Sequence, residues 1–305
     1  MNRDKTLTWR RVSPTSLDLT ALKVVIVGGT GGIGRACARF MASRSATVLV
    51  VGQTFRDSGV PGIDFIKADL SLMREAQRVG ALLPAESADL FMFTTGIFAA
   101  PTRQETAEGL ERDMAISYLS RLVLVREIGP RLGKSRSDAQ PKPRVFIMGY
   151  PGTGHAGALG DLNAERSYRG RAVHMNTVAG NEILVLDAST RYPNANVFGL
   201  NPGLIRTNIR DNFLGANTLR SRVIEGIIGV LTPSADAYAE GLTPLLVSPD
   251  LESHSGALFD RKGDAVLPSP KLTDGSYRQA FIEASEALIA RANVRSSDAT
   301  LSETL

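Results

Sequence analysis

Cysteine is almost missing from this chain. With Cys37 alone no intramolecular disulfide can form, which fits a reducing compartment. Long apolar runs are missing too. Nowhere do about eighteen uncharged apolar residues stand together, so no membrane span is expected. Residues Met1 to Lys23 hold Trp9, Arg10 and Arg11 but no apolar stretch of signal-peptide length, and the expected location is cytoplasmic. No Lys/Arg block occurs either. The surplus of 35 basic over 31 acidic residues reads as a solvated mixed surface and excludes nothing but a nucleic-acid stripe. No metal site is expected. What remains is a chain of 305 residues, 43% hydrophobic, near the upper limit for one core.

From Lys23 onward, short apolar runs alternate with longer helical patterns. Strands are expected at Val24 to Val27, Thr47 to Val51, Phe65 to Ala68, Leu90 to Phe93, Arg144 to Met148, Val197 to Leu200 and Ala257 to Phe259. Helices are expected at Arg35 to Ser43, within the amphipathic stretch Glu105 to Leu132, at Ala172 to Arg191, at Pro233 to Leu246 and at Tyr277 to Ala292. Continuous apolar strands separated by helices predict a doubly wound α/β fold, with a Rossmann-type parallel sheet covered on both faces. The organisation predicted is an N-terminal extension over 1–22, one dinucleotide-binding domain over 23–265 and a C-terminal extension over 266–305. A segment over about 208–232 would cover a substrate, with Phe213, Leu214, Leu219, Val223, Ile227 and Ile228 making it apolar.

The sharpest local signal is VVIVGGTGGIGRACARF, in which Gly28, Gly32 and Gly34 follow a strand and open a helix. The glycines permit a tight turn and let the backbone approach a pyrophosphate, which the helix N-terminus then receives. In that turn Thr30, Gly31, Ile33 and Arg35 stand as further contacts. The turn resembles that of the short-chain dehydrogenase/reductases, although Val27 replaces the usual Thr. The resemblance extends over Asp69 and Leu70 after the third strand, Thr94-Thr95-Gly96 after the fourth, and NPGLIRT at Asn201 to Thr207. It implies that Asp69 and Leu70 meet an adenine, that Thr95 and Gly96 line the cofactor, and that Pro202, Gly203, Ile205 and Thr207 hold the nicotinamide carboxamide.

A carboxylate about 20 residues past the glycines would bond the ribose hydroxyl of NAD and repel a 2′-phosphate. Here Gln53, Thr54 and Arg56 come instead, and the first acid is Asp57. Arg35, Thr54 and Arg56 could neutralise or bond a phosphate, so NADP is favoured over NAD. Arg35 reads equally well as a solvated residue in the first helical turn.

In the family a Ser, a Tyr and a Lys four residues on carry the chemistry, with an Asn in the preceding helix. This chain has no Y-x-x-x-K. Counting back from Asn201 puts His174 at the Tyr position and Val178 at the Lys position; Gly149 and Tyr150 fall where Ser-Ser is usual, and Ser117 where Asn is. Two replacements for the proton donor stand open. Tyr168 with Arg171 at plus three resembles an upstream Y-x-x-K of fungal members, and VHMNTVAGNE is similar in layout to their helix. His174 is the other, as an imidazole exchanges protons near neutral pH. Tyr150 could give the substrate the hydrogen bond of the missing Ser, Ser117 is expected to keep only a structural contact, and between Asn176 and Asn181 the sequence does not choose.

The resulting expectation is an NADP(H)-dependent oxidoreductase for a carbonyl or secondary alcohol of an apolar small molecule, in secondary metabolism. The alternatives are a non-redox isomerase, dehydratase or cyclase on the same fold, and an NADP(H)-sensing protein. The resemblance also implies a homo-oligomer, paired through the long helix and the helix that bears the catalytic position.

Overall fold

Runs of Val, Ile, Leu and Phe with no polar interruption make the five central strands, because each has helices on both sides. In the computed structural model, which describes residues 1–137, 139–203, 205 and 233–302, these are β1 (Lys23–Val27), β2 (Thr47–Gly52), β4 (Leu90–Phe93), β5 (Arg144–Met148) and β6 (Asn196–Leu200). With β3 (Ile63–Lys67), β7 (Leu258–Phe259) and β8 (Ala265–Val266) they form a sheet in the order β3-β2-β1-β4-β5-β6-β7-β8, parallel throughout except for β7 with β8. Strand order reverses at β1 and β4, the switch point where α/β sheets hold ligands beyond the strands' carboxyl ends.

Alternate residues of each strand go to opposite cores. Val25, Val27, Phe91, Phe93, Val145 and Ile147 pack under α2 (Met73–Leu82), α4 (Ser120–Ile128) and α5 (Gly170–Arg191). Val24, Ile26, Val48, Val50, Met92, Phe146 and Phe198 pack under α1 (Gly32–Ser43) and α6 (Ala235–Val247). This is the doubly wound sheet expected from the patterns.

Three differences from the expected elements have local causes. Helix α2 has no capping side chain of its own, since its N-cap is Leu72; the N–H groups of Met73 and Arg74 are met by the remote Glu108 instead. The stretch over 105–132 begins as extended chain, and only at α3 (Arg112–Met114) does helix start, passing through a π-helical turn, Ala115–Leu119, into α4. Helix α7 (Gly275–Ser302) is longer than expected and closes over α4 and α5. Tyr118 donates to Ser285 at 3.1 Å, Phe281 lies edge-on to Tyr118, and Arg126 pairs with Glu286 at 2.9 Å. The N-terminal residues form a strap on the far sheet edge: Arg3 bridges Val266, Trp9 Nε1 donates to Gly263 O at 2.7 Å, and Arg3 and Arg11 both pair with Asp264. Among the described residues no helix is long and apolar enough to cross a membrane, and no group of three or more His, Cys, Asp or Glu side chains could hold a metal ion. The expected covering segment over 208–232 lies outside the described residues.

Candidate active site

The carboxyl ends of β1, β2, β4, β5 and β6 open into one cleft of about 600 Å³. That is within the usual range for small-molecule and cofactor sites, about 300–1,000 Å³. Its floor begins at the glycine turn. Gly28 and Gly34 are needed for close packing, because a Cβ there would stand 2.4 Å from Thr95 N and from Thr94 Oγ1 respectively. Gly31 differs. It lines the cleft, its backbone is extended, and a Cβ would meet no atom within 4 Å. Helix α1 has no side-chain cap at Gly31, so its first N–H groups remain for an anion. At this end the cleft is also lined by Gln53, Asp69, Leu70 and Ser71.

Asp57 is not at the cleft. It is buried beneath Arg35, which grips both its oxygens at 2.7 and 2.8 Å, and Arg39. The bonds from Arg35 hold the Asp57 carboxyl below its ordinary range. Exposed Arg56 reaches back over the turn and donates to Thr30 O at 3.0 Å.

At the opposite end, the helix over α3, the π turn and α4 aims polar side chains at the cleft from an otherwise apolar element. Asp113, wholly buried, accepts from Ser117 Oγ at 2.5 Å and lies 2.8 Å from His174 Nδ1 on α5. Ser117 also accepts from Ile97 N at 3.0 Å. The His174 ring tilts against Phe98 and lines the cleft. One turn further on, buried Arg121 donates to Thr95 O, Met148 O and Asn181 Oδ1. Asn181 completes the network by donating to Ser117 O at 2.8 Å, and its Cβ occupies the space a side chain on Gly149 would need. Burial pushes the Arg121 guanidinium down to about 9, so it stays charged at neutral pH. Thr95 Oγ1, buried against the cleft, has no hydrogen-bond partner among the described residues.

No family model matches the sequence. An uncharacterized oxidoreductase of Saccharomyces cerevisiae is 50% identical over 294 residues, which is 95% of each chain. Solved structures with the same fold include a Mycobacterium paratuberculosis protein, with a TM-score of 0.66 at 20% identity over 92% of this chain and 97% of that one. A short-chain dehydrogenase/reductase from Serratia marcescens aligns with a TM-score of 0.58 at 19% identity, over 81% of this chain and 99% of its own. The chain belongs to the family of this yeast oxidoreductase, on the fold of the short-chain dehydrogenase/reductases.

A more distant relative, 25% identical over 286 residues (87% of this chain, 92% of its own), is a Streptomyces protein named for daunorubicin C-13 ketoreduction. An oxidoreductase on this fold implies a nicotinamide cofactor and a small-molecule substrate. The residues present fit such a cofactor: an open glycine, free helix N–H groups and an unpartnered threonine hydroxyl share one cleft of suitable volume.

Of the residues expected at the cofactor, Gly28, Thr30, Gly31, Gly32, Ile33, Gly34, Gln53, Asp69, Leu70, Thr95, Gly96, Pro202, Gly203 and Ile205 line the cleft. Arg35, Thr54 and Arg56 do not, and Thr207 lies outside the described residues. His174 and Tyr150 line the cleft at its other end. Tyr168 and Arg171 are not brought there. The Tyr168 hydroxyl is committed to Ala100 O at 2.6 Å, with burial pushing its pKa up to about 12, and Arg171 is exposed to solvent. Ser117 makes the backbone contacts expected of it, with Ile97, and also anchors Asp113. Asn181 is the cleft asparagine, whereas Asn176 accepts from Ala158 N and steadies a loop. Asp113 and Arg121 were not anticipated.

Proposed function

We propose that this chain is a short-chain dehydrogenase/reductase, an NADP(H)-dependent reductase of apolar ketones or the corresponding alcohol dehydrogenase, in which His174 exchanges the proton. The observation that carries this is the Asp113–His174 pair at 2.8 Å, standing at the position where the family has its tyrosine. A buried carboxylate bonded to one imidazole nitrogen fixes the tautomer and orientation of the ring. With Nδ1 held by Asp113, Nε2 is the nitrogen left to give a proton to a carbonyl oxygen or to take one from an alcohol. The dinucleotide, when bound, supplies or accepts the hydride. Phe98, Ile116, Met148, Met175 and Val178 keep that end of the cleft apolar, and exposed Tyr150 stands at its mouth as a hydroxyl donor.

NADP is preferred over NAD in this reading because no carboxylate lines the cleft at the end of β2. Gln53 stands there, and Asp57 is withdrawn under two arginines. Exposed Arg56, at the rim of the turn, supplies the positive charge for a 2′-phosphate, since Arg35 is compensated by Asp57. The ketoreductase name of the Streptomyces relative supports the carbonyl class and a place in secondary metabolism. A cytoplasmic location belongs to the same proposal, supported by the lone, buried Cys37. Homo-oligomer formation through α4 and α5 would require α7 to leave, so association would use another surface.

Fluorescence titration with NADPH and NADH, followed by a ketone screen on wild type and His174→Ala, tests the reading. NADPH should bind at least about tenfold tighter than NADH, and His174→Ala should bind it normally while losing turnover. Failure to bind either dinucleotide, or full turnover by His174→Ala, overturns it; binding with no turnover of any ketone moves the chain to the non-redox or sensing alternatives.

A further inference from the structure

The proposed chemistry leaves one buried charge without a task. Arg121 is 3% exposed, lines the cleft, and has no carboxylate within ion-pair distance among the described residues. Its partners are neutral: the carbonyls of Thr95 and Met148 at the ends of β4 and β5, and the amide oxygen of Asn181. Its Nε has no partner among the described residues. Asp113 is the carboxylate whose field reaches it, but that carboxylate is already bonded by His174 and Ser117. Burying a guanidinium this way is costly, and a neutral donor could tie the same carbonyls together. The charge therefore acts on whatever occupies the cleft. On α5, where the family carries a lysine, this chain has Val178; of the two arginines that line the cleft, Arg112 is exposed and bonded to Gln104, and Arg121 on the neighbouring helix is the buried one.

We propose that Arg121 is the fixed positive charge that makes this cleft prefer the reduced nicotinamide to the oxidised one. The inference rests on the cofactor reading above. With the pyrophosphate at the glycine turn and the adenine toward Gln53, Asp69 and Leu70, the nicotinamide end falls on the side of Thr95, Gly96, Tyr150 and His174, over Arg121. The oxidised ring carries a positive charge that the reduced ring lacks. A buried cation in a medium of low dielectric repels the first and is indifferent to the second. Arg121 thereby acts as a positioning and electrostatic residue that favours binding of the hydride donor and release of the spent cofactor.

The test is the ratio of NADP⁺ to NADPH dissociation constants, measured by calorimetry on the full chain without substrate. Wild type should favour NADPH, and Arg121→Met should lower the ratio on the order of tenfold. Arg121→Lys, which keeps the charge, should leave the ratio near the wild-type value. Val178→Lys, which adds a second cation to the same floor, should raise it, and it carries the test should Arg121→Met fail to fold. Equal affinities in wild type, a ratio unmoved by a folded Arg121→Met, or, should that variant not fold, a ratio unmoved by Val178→Lys, overturns the inference while leaving the NADPH reductase reading intact. Failure to bind either form overturns both.

Discussion

Replacing Asp113 by Asn keeps the side chain's shape and removes its charge. In the fold that carboxylate is wholly buried, 2.5 Å from Ser117 Oγ and 2.8 Å from His174 Nδ1. Either the amide oxygen keeps the bond from Ser117 and the N–H₂ faces Nδ1, or the oxygen faces Nδ1 and the Ser117 hydroxyl accepts from the N–H₂; in both cases the helix keeps its register. What disappears is a charge-assisted hydrogen bond to the imidazole, worth about 1.5–3 kcal/mol. At about 1.4 kcal/mol per factor of ten, kcat for ketone reduction should fall about 10- to 150-fold. The fall grows further if the amide turns its N–H₂ toward Nδ1 and selects the wrong tautomer, a change that costs about 10⁴ where an Asp orients a catalytic His in serine proteases. Asp113 does not itself line the main cleft, so the NADPH dissociation constant should stay within about twofold of wild type. Steady-state NADPH oxidation at saturating cofactor, paired with fluorescence titration, separates the two quantities. An unchanged kcat would refute the assignment of His174. A kcat loss matched by an equal loss of cofactor affinity would show that Asp113 merely supports the cleft wall.

Three other changes separate site from scaffold. Gly31→Val should weaken NADPH binding by tenfold or more in titration, with a melting temperature within about 2 °C of wild type, because the side chain enters the cleft from unstrained backbone. Tyr168→Phe should leave kcat unchanged and cost about 1 kcal/mol in denaturant unfolding, the worth of its hydrogen bond to Ala100 O; loss of turnover would reinstate Tyr168 as the proton donor. Glu111 is buried and its carboxyl is pushed up from 4.5 to about 7 by that burial. Between those values the fold holds a proton that the unfolded chain has lost, so stability falls as pH rises across that window and levels off above it, by about 3 kcal/mol in all. Glu111→Gln should remove this contribution, melting higher than wild type at pH 7.5 and alike near pH 4.5; equal melting curves at both pH values would contradict it.

The sheet was legible because parallel strands covered on both faces are written as unbroken apolar runs, and the glycine turn because only glycine tolerates the contacts at Gly28 and Gly34. Helix α2 was not, since its cap comes from Glu108, far away in sequence, and β8 was not, since two residues carry no period. At the other end of the cleft, counting from a motif pointed to His174, which lines it, but not to Asp113 beside it. The signal was there in DMAISYLSR. Asp113, Ser117 and Arg121 recur every four residues along a helix whose other buried positions are apolar or small. Such a polar stripe, at a spacing that an α turn and a π turn both keep nearly in line, marks a face aimed at a site. Attention to the empty Tyr and Lys positions on α5 led to Tyr168 and Arg171, upstream and on the same helix, and passed over the buried Arg121 on the neighbouring helix.

The strap over the sheet edge has a consequence for the timing of folding. Trp9 seals Gly263, Arg3 pairs with Val266, and Asp264 is shared by Arg3 and Arg11, so these residues find no partner until some 250 later ones exist. During synthesis, at about 5–20 residues per second, the segment must wait tens of seconds or less while the rest of the sheet assembles. Until it docks, β8 ends the sheet as an open edge able to pair with any extended chain. Residues made early are thus satisfied only late, and they close this edge of the sheet like a latch.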